Sequence, residues 1–141
     1  MKRLPNTEDS LVLRTDFSTD TSWESVCEAM SAPVGEFQAQ LSCVSDAAYD
    51  GLTIEALLRL KHGDHGYVFI VDRVTLTNPQ MPVLVVDLED EPGRSFRVVP
   101  SQMWSVENNL SLANMEFSEF AGRVDEHGVF RGFTGRDDSA R

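Results

Sequence analysis

The sequence has no apolar run near the roughly 18 residues that a membrane-spanning helix needs, so no spanning segment is expected. Its first residues, MKRLPNTEDSLVLRTD, carry a basic pair with no long apolar stretch and no small-residue cleavage site behind it. That is not the pattern of a secretory signal, and a cytoplasmic protein is expected. Only two cysteines occur, Cys27 and Cys43, too few for a disulfide framework. Both fall in apolar patterns and are expected to behave as small buried hydrophobes.

Positive charge is scarce. Lys and Arg total 12 against 23 Asp and Glu, a net charge of −11. The basic residues come at most in pairs, Lys2 with Arg3, Arg59 with Lys61 and Arg94 with Arg97. Phosphate backbones are bound by clustered Lys and Arg that release counterions, so direct nucleic-acid binding is not expected. The acidity serves solubility, and it also suits attraction of a basic protein partner. Motifs for covalent or nucleotide chemistry are missing too. There is no G-x-S-x-G elbow and no G-x-x-x-x-G-K phosphate loop, and no cofactor is expected.

What is present is a periodic apolar pattern. Hydrophobic residues make up 41% of the 141, enough for one core and too few residues for two. Residues 10–133 are read as a single α/β domain, with residues 1–9 and 134–141 as flexible ends. Leu11 to Leu13 form a short strand. Thr21-Ser22-Trp23-Glu24 fits a capping box and opens a helix with Trp23, Val26, Cys27 and Met30 on one face. A second strand is expected from Phe37 to Val44, giving a βαβ start with parallel strands. Ile54, Leu57 and Leu58 mark a short helix. The runs Val68–Val71 and Val83–Val86 lack alternation, as in strands buried on both faces, and belong in the middle of the sheet. The ten or so residues between them are too few for an ordinary helical crossover and suit a short helical turn through Val74 and Leu76 or an extension of the strand. Glu91-Pro92-Gly93-Arg94 reads as a type II turn closing a hairpin onto Phe96, Val98 and Val99. Ser101 then caps a helix carrying Met103, Val106 and Leu110, and Phe117, Phe120, Ala121 and Val124 stripe a last one. Val129–Phe133 adds an edge strand. The whole is a mixed sheet of about five strands with helices packed on it.

Candidate site residues fall in two groups. Asp16, Asp72 and Asp87 each follow an apolar strand. In parallel sheets, functional groups gather beyond the carboxyl ends of the strands, where converging aspartates hold Mg²⁺ through oxygen ligands. VFIVD followed by PVLVVD is similar in this respect to a phosphate-accepting receiver domain. The sequence departs from that pattern in three places: no acidic pair at the first strand, too short a crossover, and Val99-Pro100 where a lysine would end the last strand. Strand-end aspartates also serve as turn formers and helix caps. The second group is Trp104, Glu107, Asn108 and Asn109, an aromatic with acid and amide groups that suits a ligand or a recognition surface and equally a polar helix end. His62, Asp64 and His65 have a zinc-like spacing but lack a third and fourth ligand nearby, since Cys27 and Cys43 lie on apolar faces and His127 is distant, so no metal site is expected.

From LVLRTDFS through YDGLT, VFIVDRVTL, PVLVVDL and FRVVP to MWSVENNLSLANMEFSEFA, the chain resembles a bacterial domain family of unknown function, found mainly in actinobacteria. MWSVENNLSLANMEF is the most specific stretch. The resemblance spans about residues 10–133 and implies a single intracellular domain. It assigns no catalytic residue. Three functions stand open on the sequence. They are an interaction module of the immunity or regulatory kind that meets a basic partner, a small enzyme or ligand-binding domain using the three aspartates with a divalent ion, and an acidic mimic of nucleic acid.

Overall fold

Two valine-rich strands, β3 (Tyr67–Val71) and β4 (Val83–Asp87), form the centre of the sheet, with four of the five residues of each buried. They pair antiparallel, Val68 opposite Val86 and Ile70 opposite Leu84. The computed structural model describes residues 3–133. Strand β1 (Ser10–Arg14) lies parallel beside β3, and β2 (Leu41–Val44) lies parallel beside β1 at the sheet edge. On the other side β5 (Ser95–Val98) runs antiparallel to β4, and the two-residue β6 (Val129–Phe130) runs parallel to β5. Among the described residues the sheet has six strands rather than about five, in the order β2-β1-β3-β4-β5-β6. Only β4 points the other way.

Helices cover one face. These are α1 (Asp20–Ser31), α3 (Arg73–Thr77), α4 (Met103–Ser111) and α5 (Phe117–Ala121), whose Val26, Leu76, Val106 and Phe120 pack on Val12, Phe69, Val85 and Phe96 of the sheet. On the opposite face the cover is thinner: α2 (Ile54–Leu58), Tyr49 from a single 3₁₀ turn and Leu4 from the segment before β1. Leu4 is buried and its amide bonds the Lys61 carbonyl at 2.9 Å, so that segment is fastened to the domain at this point. The expected flexible tail 134–141 lies outside the described residues. Among the described residues no helix is long and apolar enough to cross a membrane.

Four local readings change. The cap of α1 is Thr19, not the Thr21 box: its side chain accepts from the Ser22 amide at 3.3 Å, and Asp20 sits in the first turn, where the helix end attracts an anion. The second strand starts at Leu41 instead of Phe37. Residues 34–37 form a tight turn closed by reciprocal Val34–Phe37 bonds of 2.8 and 3.0 Å, which leaves Phe37 exposed. Ser101 caps nothing, since a 3₁₀ turn (Pro100–Gln102) leads into α4. Cys43 is exposed and Cys27 half-buried, because an edge strand leaves its outer flank open. The Glu91–Arg94 turn forms as expected, with the Arg94 amide 2.9 Å from the Glu91 carbonyl and Gly93 at φ 96°, a value that favours glycine.

The helix-covered face ends in an aromatic cluster. Phe120 is fully buried and its ring lies 5.2 Å from Phe130, 5.3 Å from Phe133 and 6.2 Å from Phe96. Phe120→Ala is expected to cost about 3–5 kcal/mol through lost burial and an unfilled cavity. Urea unfolding checks this as an earlier midpoint with an unchanged slope. A cost below about 1 kcal/mol would show that the cluster is not packed as described.

Candidate functional site

The reversal of β4 sorts the strand-end aspartates onto two edges of the sheet. Asp87 pairs with Tyr67 at the start of β3, whereas Asp16 and Asp72 follow the ends of β1 and β3. The three are therefore not brought together. Each is engaged locally. Asp16 accepts from the Ser18 amide at 2.9 Å and from the Ser18 hydroxyl, and these bonds hold its carboxyl below the ordinary value. Asp72 caps α3 with a reciprocal bond to Thr75 and takes a two-pronged ion pair from Arg97 at 3.0 and 2.8 Å. Burial pushes Asp72 up, but Arg97 and the Thr75 bonds outweigh it and the carboxyl lies below its usual range. Asp87 is buried and accepts from the amides of Glu89, Asp90 and Glu91 at 2.9–3.3 Å, which shapes the loop into the β4–β5 turn. The rings of His62 and His65 contact backbone carbonyls of Leu57 and Pro5 at 3.2 and 2.8 Å. Among the described residues no three His, Cys, Asp or Glu side chains are grouped so as to hold a metal ion.

A broad concavity lies elsewhere, at the edge where β1 and β3 begin and β4 ends. It is a cleft of about 1230 Å³. Nine carboxylates line it, among them Glu8, Glu36, Asp64, Glu89 and Glu116, and its lining includes no lysine or arginine. Seven of the nine are exposed. Asp87 and Glu107 are buried, at 3% and 2% exposure, and belong to the floor.

Glu107 is the sequence candidate that the structure places most firmly. It sits on α4 and accepts three bonds: from the Ser10 hydroxyl at 2.8 Å, the Gln40 amide at 2.7 Å and the Asn108 side-chain amide at 3.0 Å. Ser10 has one proton and gives it to Glu107, so the 2.6 Å contact between Ser10 and Tyr67 is donated by the Tyr67 phenol. Burial, with a smaller push from the Glu107 charge, raises the Tyr67 phenol above its ordinary value and keeps it a donor. The floor is thus a relay of three side chains ending on a buried carboxylate. Asn108 also bonds the Gln38 carbonyl at 3.2 Å, and Asn109 turns back to the Ser105 carbonyl at 2.8 Å. Trp104 is half-buried and stacks on Phe37 at 4.5 Å, with its indole N–H buried and unpaired. Of the second group, Glu107 and Asn108 line the cleft, Asn109 is a helix brace, and Trp104 supports the cleft wall through Phe37.

Residue patterns singled out Glu107 but missed Ser10, Gln40 and Tyr67, which meet it only through pairing of distant strands. A second, smaller groove of about 490 Å³ lies on the thinly covered face, over Ile70, Leu84 and Arg97 beside α2.

Sheet and cleft together define a six-stranded mixed α/β domain with an acidic concavity at its strand-start edge. The chain belongs to the family described as Domain of unknown function (DUF6924), whose family model matches residues 9–133. No curated protein matches it.

Two substitutions test this geometry. Glu107→Leu orphans the Gln40 amide and the Ser10 hydroxyl and is expected to destabilise by about 2–4 kcal/mol, whereas Glu107→Gln, which can reverse the relay, costs about 1 kcal/mol. Equal costs in chemical denaturation would refute the relay. For Asp72 the sign follows from its lowered folded value: its stabilisation is full above the unfolded value near pH 4 and is lost as pH falls through the folded one. Wild type should therefore exceed Asp72→Asn in unfolding free energy at neutral pH, with the gap closing below about pH 4. A gap independent of pH in urea titrations would remove the ion pair from the account.

Proposed function

We propose that this domain is an interaction module that receives a lysine- and arginine-rich segment of another protein in the acidic cleft. One observation carries the reading: nine carboxylates and no basic side chain other than His65 converge on a concave surface of about 1230 Å³. A cleft lined by one sign of charge focuses its field and raises the local concentration of the opposite charge. Charge complementarity of this kind sets association rate and partner choice. The planar guanidinium fork of arginine, weakly hydrated and rich in donors, matches carboxylates held on several loops. A lysine adds a mobile point charge. The acids face inward around a hollow, which suits an inserted segment better than the convex ridge that a duplex mimic would present. Regulatory or immunity proteins that occupy a basic partner use chemistry of this class.

The test uses fluorescence anisotropy with a labelled ten-residue peptide of alternating lysine and arginine. Binding is expected in low salt and should weaken about tenfold or more on raising salt to physiological strength and beyond. Glu36→Lys/Glu89→Lys, both exposed in the cleft, should weaken it about tenfold. Glu24→Lys/Glu28→Lys makes the same charge change on the outer side of α1, away from the cleft, and should leave affinity within about twofold. Equal losses in the two variants would mean that total charge and not the cleft binds the peptide, and the proposal would fall.

A further inference from the structure

The two cysteines, 16 positions apart in sequence, meet in space. Cys43 lies in register with Val12 on the neighbouring strand, and Val12 points into the helix-covered core. Side chains in register on adjacent strands share a face, so Cys43 faces the side of the sheet on which α1 lies. Cys27 stands on α1 beside Val26, one turn before Met30, and packs against that same core. The two thiols share a hydrogen bond in which Cys27 donates to Cys43. That bond lowers the Cys43 thiol despite its partial burial. The same bond, then burial and then the Cys43 charge push the Cys27 thiol up. Both cysteines are free, Cys43 exposed on the edge strand and Cys27 half-buried behind it. An accessible thiol with a lowered proton affinity, beside a second and more shielded thiol, is the arrangement of a peroxide-sensitive pair.

We propose that Cys43 and Cys27 form a reversible intramolecular disulfide, with Cys43 the thiol that meets peroxide and Cys27 the one that resolves it. The Cys43 thiolate attacks one oxygen of hydrogen peroxide, the O–O bond breaks, and hydroxide leaves and is protonated to water. Cys43 is then a sulfenic acid. The Cys27 sulfur attacks the Cys43 sulfur, the S–O bond breaks, and the departing hydroxide leaves as a second water with the Cys27 proton. Two thiols and one peroxide become one disulfide and two waters, with two electrons passing from sulfur to peroxide. Closing the bond brings the two sulfurs to about 2.05 Å and ties the edge strand to the helix on its face. A dithiol reductant reverses the reaction by exchange. The inference is independent of what occupies the cleft.

The experiment treats the full chain with a slight excess of hydrogen peroxide and reads intact mass without reductant. A loss of about 2 Da, restored by dithiothreitol, is expected. Trypsin cannot locate the bond, since no Lys or Arg lies between Arg14 and Arg59. Cleavage after glutamate separates the cysteines into fragments 25–28 and 37–55, which should remain joined until reduced. In Cys27→Ser the mass loss should vanish and Cys43 should be trapped as its sulfenic acid by dimedone. In Cys43→Ser, dimedone labelling should drop about tenfold. The proposal is overturned if both wild-type thiols stay alkylatable, if Cys43 proceeds to a sulfinic acid without linking, or if the disulfide forms only between two chains. Each of these is read on the wild-type protein, so a variant that fails to fold does not decide the result.

Discussion

The architecture depends on a clasp at the point where the chain turns back from β3 into β4. Asp72 caps the five-residue α3, the buried Thr75 hydroxyl bonds the Pro82 carbonyl at 2.9 Å, and Arg97 reaches from β5 to both Asp72 and that same carbonyl. Three elements separated in sequence are thereby tied at one corner. A turn this short cannot carry a parallel crossover, so β4 must run against β3. The ion pair is partly shielded, with side chains 20% and 25% exposed, and it satisfies polar groups that would otherwise face the core edge. Breaking one partner leaves the other charge without compensation, which is why the corner is sensitive to the loss of either.

Everything at the opposite edge follows from that reversal. With β4 antiparallel, its end and the loop bearing Asp87, Glu89 and Asp90 arrive beside the starts of β1 and β3. Acids from the N-terminal segment, from the 64–67 loop and from the α4–α5 connection come to the same place. The structure tolerates this because it divides them. The buried Asp87 and Glu107 are saturated with donors and act as parts of the scaffold. The seven exposed carboxylates remain in water, where repulsion is screened over about 8 Å at physiological salt. The cleft holds a field without a large folding cost, and a cationic ligand would remove the repulsion that remains.

Much of the fold was legible locally. The unalternating runs of β3 and β4 declared a buried centre, the short gap between them allowed a helical turn or a longer strand, of which α3 is the first, and the Glu91–Arg94 turn was written in its Pro-Gly pair. The site was much less so. The carboxyl-end rule for parallel sheets pointed toward Asp16, Asp72 and Asp87, but the short β3–β4 connection reverses β4, so only Asp87 reaches the edge where the cleft forms, among acids from segments distant in sequence. Phe37 and Ala39 satisfied an alternating pattern, yet they lie in a turn and a loop leading into β2, where Phe37 stacks on Trp104 instead of pairing on the sheet. Glu107 looked like the polar side of a helix end. Its burial depends on Ser10 and Gln40, residues whose proximity comes from parallel pairing of β1 and β2.

The connection between α1 and β2 shows how these levels meet. Residues 32–40 have little regular structure of their own and are held from outside by α4: Trp104 stacks on Phe37, Asn108 bonds the Gln38 carbonyl, and Glu107 takes the Gln40 amide. The same residues line the cleft wall. Their two ends are the helix and strand that bring Cys27 and Cys43 together. A segment fixed by three side chains of a single helix moves with that helix, so the position of the wall is set by how α4 sits on the sheet. That seat is secured by Met103 and Val106, both fully buried against the central strands. The shape of the acidic cleft is therefore a property of the core, transmitted through one helix, and not of the loops that carry most of its charge.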